Sequence, residues 1–232
     1  MGGLTNKQHV FFDLDDTLWD FEKNSERVLR QLFDEFLLAQ KLNCDFEVFH
    51  QRYKIENKNL WSQYYQKKID KHFLRNHRFN TVFKLFGHDD YEENLLITEQ
   101  YLKRSPNGTV LKDNCVVILD YLKQHYHLHI ITNGFKEVQD IKLKASGIQS
   151  YFNQVIISEE HNLTKPDERI FRLAENLAST SKQHCVMIGD NLESDIAGAL
   201  NAGWDAIHYS EQRDPNYSGL HVSNLLELKS LL

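Results

Sequence analysis

The sequence predicts an α/β fold: a parallel sheet with helices on both faces, interrupted early by an all-helical segment. Three observations predict it. A short strand-forming run, His9-Val10-Phe11-Phe12, stands near the N-terminus. A long helix-periodic block without proline follows, over residues 21–102. From Val110 onward, apolar runs of strand length alternate with helical stretches.

Taken in order, Val10, Phe11 and Phe12 are β-branched or aromatic and suit a buried strand. In the helical block, Val28, Leu29, Leu32, Phe33, Phe36 and Leu37 recur at helical spacing, the apolar stripe of an amphipathic helix. Further helices are expected over 46–66, 71–86 and 90–101. The block stops at Ser105-Pro106-Asn107-Gly108, a cluster of turn residues. The chain therefore divides into a core of residues 1–18 and 106–232 and an inserted domain of residues 19–105. In the core, a helix over 114–124 leads to a strand over 128–132, then to a helix over 137–146 stopped by Gly147. A strand over 155–158, a helix over 167–178 and a strand over 185–188 follow. A helix of small residues (194–202) closed by Gly203, a strand over 206–209 and a C-terminal helix near 225–231 complete a Rossmann-like order. In such sheets, ligands bind beyond the C-terminal ends of the strands.

A chain of 232 residues has room for one α/β core and a smaller insert. With 26% charged and 41% hydrophobic residues, it has the composition of a globular protein. A net charge of −6 argues against a nucleic-acid polymer as partner. The three cysteines, Cys44, Cys115 and Cys185, form no C-x-x-C and suggest neither a disulfide framework nor a zinc site. No apolar run has the length of a membrane span, and the N-terminus lacks a basic-then-apolar signal pattern. Met1-Gly2 lacks the Ser or Thr that myristoylation needs, since Asn6 stands there. A cytoplasmic location, no membrane partner and a monomer or homodimer are expected.

Chemistry concentrates at strand ends. Asp13, Asp15 and Asp16 follow the first strand at once. Continued strand geometry would send Asp13 and Asp15 to the same side, where two carboxylates invite a shared proton or a divalent cation; an acidic turn is the plainer reading. Thr132-Asn133-Gly134 ends the next strand where a helix begins, a setting for an anion or a simple N-cap. Lys165-Pro166 precedes another helix, with Pro166 suited to its first turn. A further strand delivers Gly189-Asp190, and Asp195 follows at the start of the small-residue helix. His125, His127 and His129 alternate at the start of a strand, away from these ends, and are expected on an edge or a solvated face.

Together, Asp13-Leu14-Asp15-Asp16-Thr17, Thr132-Asn133-Gly134, Lys165-Pro166-Asp167-Glu168-Arg169-Ile170-Phe171 and Gly189-Asp190 through Asp195 resemble, in order, the four motifs of the haloacid dehalogenase superfamily. The helical insert stands where the first subclass of that superfamily carries its cap. The resemblance implies a phosphatase in which Asp13 is the nucleophile and Asp15 the general acid and base. It implies that Thr132, Asn133 and Lys165 bind the phosphoryl group, Lys165 also offsetting charge on Asp13. It implies magnesium held by Asp13, the Asp15 backbone carbonyl and Asp190, with Thr17 and Asp195 in support, Asp195 acting through a water or by orienting Lys165.

The dehalogenase branch needs neither magnesium nor a leaving-group acid, so the carboxylate at position 15 speaks for phosphoryl chemistry. The phrasing Asp-Asp-Thr-Leu-Trp-Asp-Phe and Ile-Thr-Asn-Gly-Phe-Lys-Glu-Val-Gln is most similar to bacterial 5′-nucleotidases that act on pyrimidine nucleoside monophosphates. Sugar phosphates, phosphoglycolate and phosphomutase chemistry are the alternatives, followed by a non-catalytic binding protein. Around the insert, Trp19, Phe21, Trp61, Tyr64, Tyr65, Phe73, His77 and Arg78 fit either a substrate-facing seam or the insert's own core.

Overall fold

The structure is a computed structural model that describes Leu4 and residues 6–232; the N-terminal dipeptide read above lies outside the described residues. The chain divides into two compact units: residues through Phe21 with Thr109–Leu232, and Glu22–Gly108. No helix among the described residues is long and apolar enough to cross a membrane.

The first unit is built on six parallel strands: β1 (His9–Phe12), β2 (His127–Thr132), β3 (Gln154–Ile157), β4 (Cys185–Gly189), β5 (Asp205–Tyr209) and β6 (Leu220–Val222). Their order is β3-β2-β1-β4-β5-β6, so the chain leaves β1 toward one edge and later returns to build toward the other. Such a reversal opens a crevice beyond the strand ends, here between β1 and β4. Strand alternation divides the core in two. Val10, Phe12, Leu128, Ile130, Val186 and Ile188 pack on one face, with Ile118 and Leu119 of a helix at Cys115–Leu122. Phe11, Ile131, Ile156 and Met187 pack on the other, with Ile170, Phe171 and Ala199. The two connectors to the insert pair with each other: Asp20 N–H donates to the Val110 carbonyl (3.1 Å) and Lys112 N–H to the Leu18 carbonyl (2.8 Å).

The second unit holds α1 (Phe21–Glu35, its first residue in the sheet unit), α2 (Leu38–Leu42), α3 (Phe46–Tyr65), α4 (Lys71–Leu85) and α5 (Tyr91–Arg104). Asp45, Asp70 and Asp90 cap α3, α4 and α5 by accepting backbone N–H groups. Val28, Leu29, Leu32 and Phe33 form its core with Phe49, Tyr53, Phe79, Phe83 and Tyr101. Leu37, the last residue of the expected stripe, is exposed, because the chain turns there through a left-handed residue. Trp61, Tyr64 and Tyr65 pack against one another outside that core.

The remaining helices are α6 (Cys115–Leu122), α7 (Lys136–Ala145), α8 (Ser158–His161), α9 (Glu168–Leu177) and α10 (Gly198–Asn201). Three stretches differ from expectation. β6 has one buried residue, Val222, too little apolar pattern to read as a strand. The C-terminal turns are a 3-10 helix, Leu225–Ser230, started by an Asn224/Glu227 capping box. The small-residue helix opens as a π-helix over Leu192–Ala197.

The histidines also differ. β2 lies between β3 and β1, so it is no edge, and His129 is buried while His127 is exposed. His129 stacks on Phe11 (4.4 Å between centroids), and its Nε2 lies 3.0 Å from His9 Nδ1, one ring donating and the other accepting. Burial, helped by the nearby imidazoles, pushes His129 down to about 3, and burial lowers His9. Both prefer to stay neutral when folded, so their contribution to stability is complete above pH 6.5 and is lost as pH falls. Each costs up to about 1.4 kcal/mol per pH unit below that point. Denaturant unfolding between pH 7 and pH 4.5 is expected to show a shallower decline for His129→Leu than for wild type. Equal slopes would contradict this.

Candidate active site

The crevice collects residues from four loops. β1 ends at Phe12, whose register pairs it with Ile130 and Ile188, and the Asp13 N–H continues the ladder by donating to the Ile188 carbonyl (2.9 Å). Asp13 is thereby buried at the centre of the sheet's C-terminal end. β4 delivers Asp190 beside it. Thr17 fixes Asp190 twice, accepting its N–H (3.0 Å) and donating to its Oδ1 (3.2 Å). On the far side, His208 Nε2 lies 2.9 Å from the Asp190 carbonyl, which only accepts, so the ring carries its proton there.

Asp195 enters from the π-helix. Its Oδ2 accepts the Asn191 N–H (3.1 Å), and a Cβ on Gly189 would run into its carboxylate, so glycine is required there. Carboxylate oxygens of Asp13, Asp190 and Asp195 all lie within 4.8 Å of one another. Lys165, 2% exposed, reaches both Asp13 Oδ1 and Asp195 Oδ1 at 2.6 Å. Asn133 holds that lysine by its backbone: Oδ1 accepts the Lys165 N–H (2.9 Å) and Nδ2 donates to the Lys165 carbonyl (3.0 Å). Ser158 braces the same amide oxygen at 2.6 Å.

The cluster is short of positive charge. Burial raises the Asp13 carboxyl well above the usual range; Lys165 opposes this, while Asp195, Asp190 and Asp15 add to it. Burial, then repulsion from Asp195 and Asp16, pushes Asp190 up to about 7. Burial works against the Lys165 ammonium, yet Asp13 and Asp195 outweigh it and its pKa is raised.

Asp15 stands beside this group and is held by other partners. The strand stops at Phe12 and the chain turns through Asp16 with φ near 60°, so strand alternation does not govern position 15. Its carboxylate is held from α7, where Lys142 Nζ donates to Oδ1 (2.5 Å) and Gln139 Nε2 to Oδ2 (2.9 Å). Gln139 Nε2 also donates to Thr132 Oγ1 at 2.7 Å, as does the Gly134 N–H at 3.1 Å. With its oxygen accepting twice, the Thr132 hydroxyl has its own proton left to give.

The structure thus gathers Asp13, Asp190, Asp195 and Lys165 at one point, with Thr17 on Asp190. Thr132 connects to Asp15 through Gln139. The Asn133 side chain is occupied with the Lys165 backbone. Gln139, Lys142 and His208 were not singled out from the sequence. The first two carry the signal of polar residues three apart, which on a helix more often marks a solvated face.

The chain matches the haloacid dehalogenase-like hydrolases over residues 7–203. It is 33% identical to the pyrimidine 5′-nucleotidase PynA of Streptococcus pneumoniae, covering 94% of this chain and 93% of that protein. It is 31% identical to the N-acylneuraminate-9-phosphatase of Homo sapiens, covering 99% and 95%. The crystal structure of the putative hydrolase YfnB from Bacillus subtilis, bound to magnesium, superposes with a TM-score of 0.88 at 27% identity, covering 98% and 99%. A parallel sheet of this order, four chemical loops at its C-terminal end and these matches along nearly the whole length lead to one assignment: the chain belongs to the haloacid dehalogenase-like hydrolase family.

Proposed function

We propose that the chain is a magnesium-dependent phosphomonoesterase acting through an aspartyl-phosphate on Asp13, with pyrimidine nucleoside 5′-monophosphates as substrates and Glu22–Gly108 as its cap domain. The observation that carries the chemistry is the close group of Asp13, Asp190 and Asp195 with the buried Lys165, and Asp15 held beside it. The nucleotidase relative, with the resemblance of the Asp-Asp-Thr-Leu-Trp-Asp-Phe phrasing to bacterial 5′-nucleotidases, supports the substrate. The N-acylneuraminate-9-phosphatase relative favours a second reading, a sugar phosphate, on the same chemistry.

The donor set fits a hard, oxygen-preferring dication, because three clustered carboxylates, two buried and Asp190 partly exposed, share one ammonium and two of the three are pushed toward protonation. Asp13 and Asp190 would hold it by their carboxylates and Asp15 by its backbone carbonyl, and the ion would neutralise charge on the phosphoryl oxygens. The reaction itself runs on the chain's own groups. An Asp13 oxygen attacks phosphorus, and the bond to the leaving oxygen breaks with its electron pair. The Asp15 carboxyl gives that oxygen its proton, then takes one from the water that attacks the phosphoaspartate. Lys165 and the Thr132 hydroxyl stabilise the phosphoryl oxygens.

A proton on Asp190 competes with the metal. With a pKa of about 7, this one group should make magnesium bind about tenfold more tightly at pH 8 than at pH 6. Thermal-shift titrations at the two pH values measure this, and equal affinities would contradict it.

Phosphate release from a panel of nucleoside monophosphates, sugar phosphates and phosphoglycolate, with magnesium or chelator, tests the function. Preference for deoxypyrimidine monophosphates, lost with chelator, is expected. Release only from sugar phosphates would overturn the nucleotidase reading, and silence across the panel would overturn the phosphatase reading.

A further inference from the structure

Asp15 is held by two side chains that have no reason to be polar except for what they touch. Gln139 is fully buried and Lys142 is 5% exposed, both on α7, three residues apart on one face. Burying an amide and an ammonium is costly without partners. Their partners are the two oxygens of one carboxylate and the hydroxyl of Thr132. The ammonium also sits 4.4 Å from the centroid of the Trp19 ring, which fixes it from another side. Gln139 must present its NH2 to this corner, since a carboxylate only accepts; its Oε1 is left buried without a partner. A Cβ on Gly134 would overlap the Gln139 amide, so the loop after β2 is shaped around it. Each Asp15 oxygen keeps a second lone pair, the place for the transferred proton.

We propose that Gln139 and Lys142 are positioning residues that hold the Asp15 carboxyl in the orientation for proton transfer to the leaving oxygen, an inference that rests on the phosphomonoesterase reading above. As the phosphorus–oxygen bond breaks, the electron pair stays on the leaving oxygen and the Asp15 proton forms the new O–H bond. The carboxylate that remains is the species Lys142 and Gln139 are arranged to hold, ready to take a proton from water. Fixing a proton donor in this way is effective because alignment of the reacting groups accounts for much of its benefit.

The test uses leaving groups of one shape and different need for a proton. Wild type, Lys142→Met and Gln139→Leu are assayed with magnesium for kcat/KM on phenyl phosphate and p-nitrophenyl phosphate, which reads the steps through loss of the leaving group and not the shared hydrolysis of the phosphoaspartate. Phenolate needs protonation to depart, and p-nitrophenolate needs it far less. The kcat/KM for phenyl phosphate is expected to fall about 10- to 100-fold in each variant, and at least about fivefold more than that for p-nitrophenyl phosphate. Equal losses on both substrates would mean a merely structural role, and no loss on either would mean an idle contact; both overturn the proposal. Gln139→Leu changes no charge and decides the question alone if Lys142→Met does not fold, as read by circular dichroism. A wild type silent on both substrates and on the whole panel above would remove the phosphomonoesterase reading and this inference with it.

Discussion

Asp13→Asn is expected to abolish phosphate release while leaving the thermal midpoint of the metal-free protein no lower than wild type. The two effects have different origins. An amide is no nucleophile toward phosphorus, so turnover should fall by at least about 10³-fold. The folded state, by contrast, carries a cost at Asp13: burial and the neighbouring carboxylates push its carboxyl well above its usual range. Asparagine has the same shape, removes one charge from that group and keeps an oxygen for the Lys165 bond at 2.6 Å. Phosphate release and a melting curve on the same sample check both halves. Near-normal turnover would remove Asp13 from the chemistry.

The second large effect concerns Lys165, whose replacement by Met should destabilise the metal-free protein by about 3–5 kcal/mol. The ammonium is buried between Asp13 and Asp195, and its removal leaves three carboxylates within 4.8 Å of one another with no cation among them. For a chain of this size the loss corresponds to a drop of about 10 °C in midpoint. Excess magnesium should restore part of the midpoint, by binding the folded form alone, without restoring turnover. A midpoint unchanged without metal would show that the cluster does not depend on this lysine.

What the sequence made legible follows from where strands end. Apolar runs of four to six residues are hard to hide, and the first polar residue after each run marks a C-terminal strand end. Asp13, Thr132 and Asp190 stand there, so the parallel sheet also brings them to one crevice. Asp195 sits one loop beyond β4 and Lys165 lies past the short helix α8 that follows β3, and their meeting at 2.6 Å depends on the π-helix and on the Asn133 clamp, which no local pattern announces. Gln139 and Lys142 were illegible for a plainer reason. In a sequence, a polar residue on a helix reads as solvated, and only the fold shows that this face of α7 meets a carboxylate instead of water. His129 misled in the same way, since its neutrality and burial come from Phe11 and His9 across the sheet. In the insert, helical periodicity located the four long helices, but not the short turn of α2 or the left-handed break at Leu37.

The central claim is a covalent phosphoryl group on Asp13. Rapid acid quench during turnover, followed by borohydride reduction and peptide mass spectrometry, reads it directly, because reduction of an acyl phosphate turns that aspartate into homoserine. Homoserine at position 13, dependent on substrate and magnesium, is the expected result. Phosphate release with Asp13 unmodified under conditions that trap a known acyl phosphate, or homoserine at another aspartate, would contradict it.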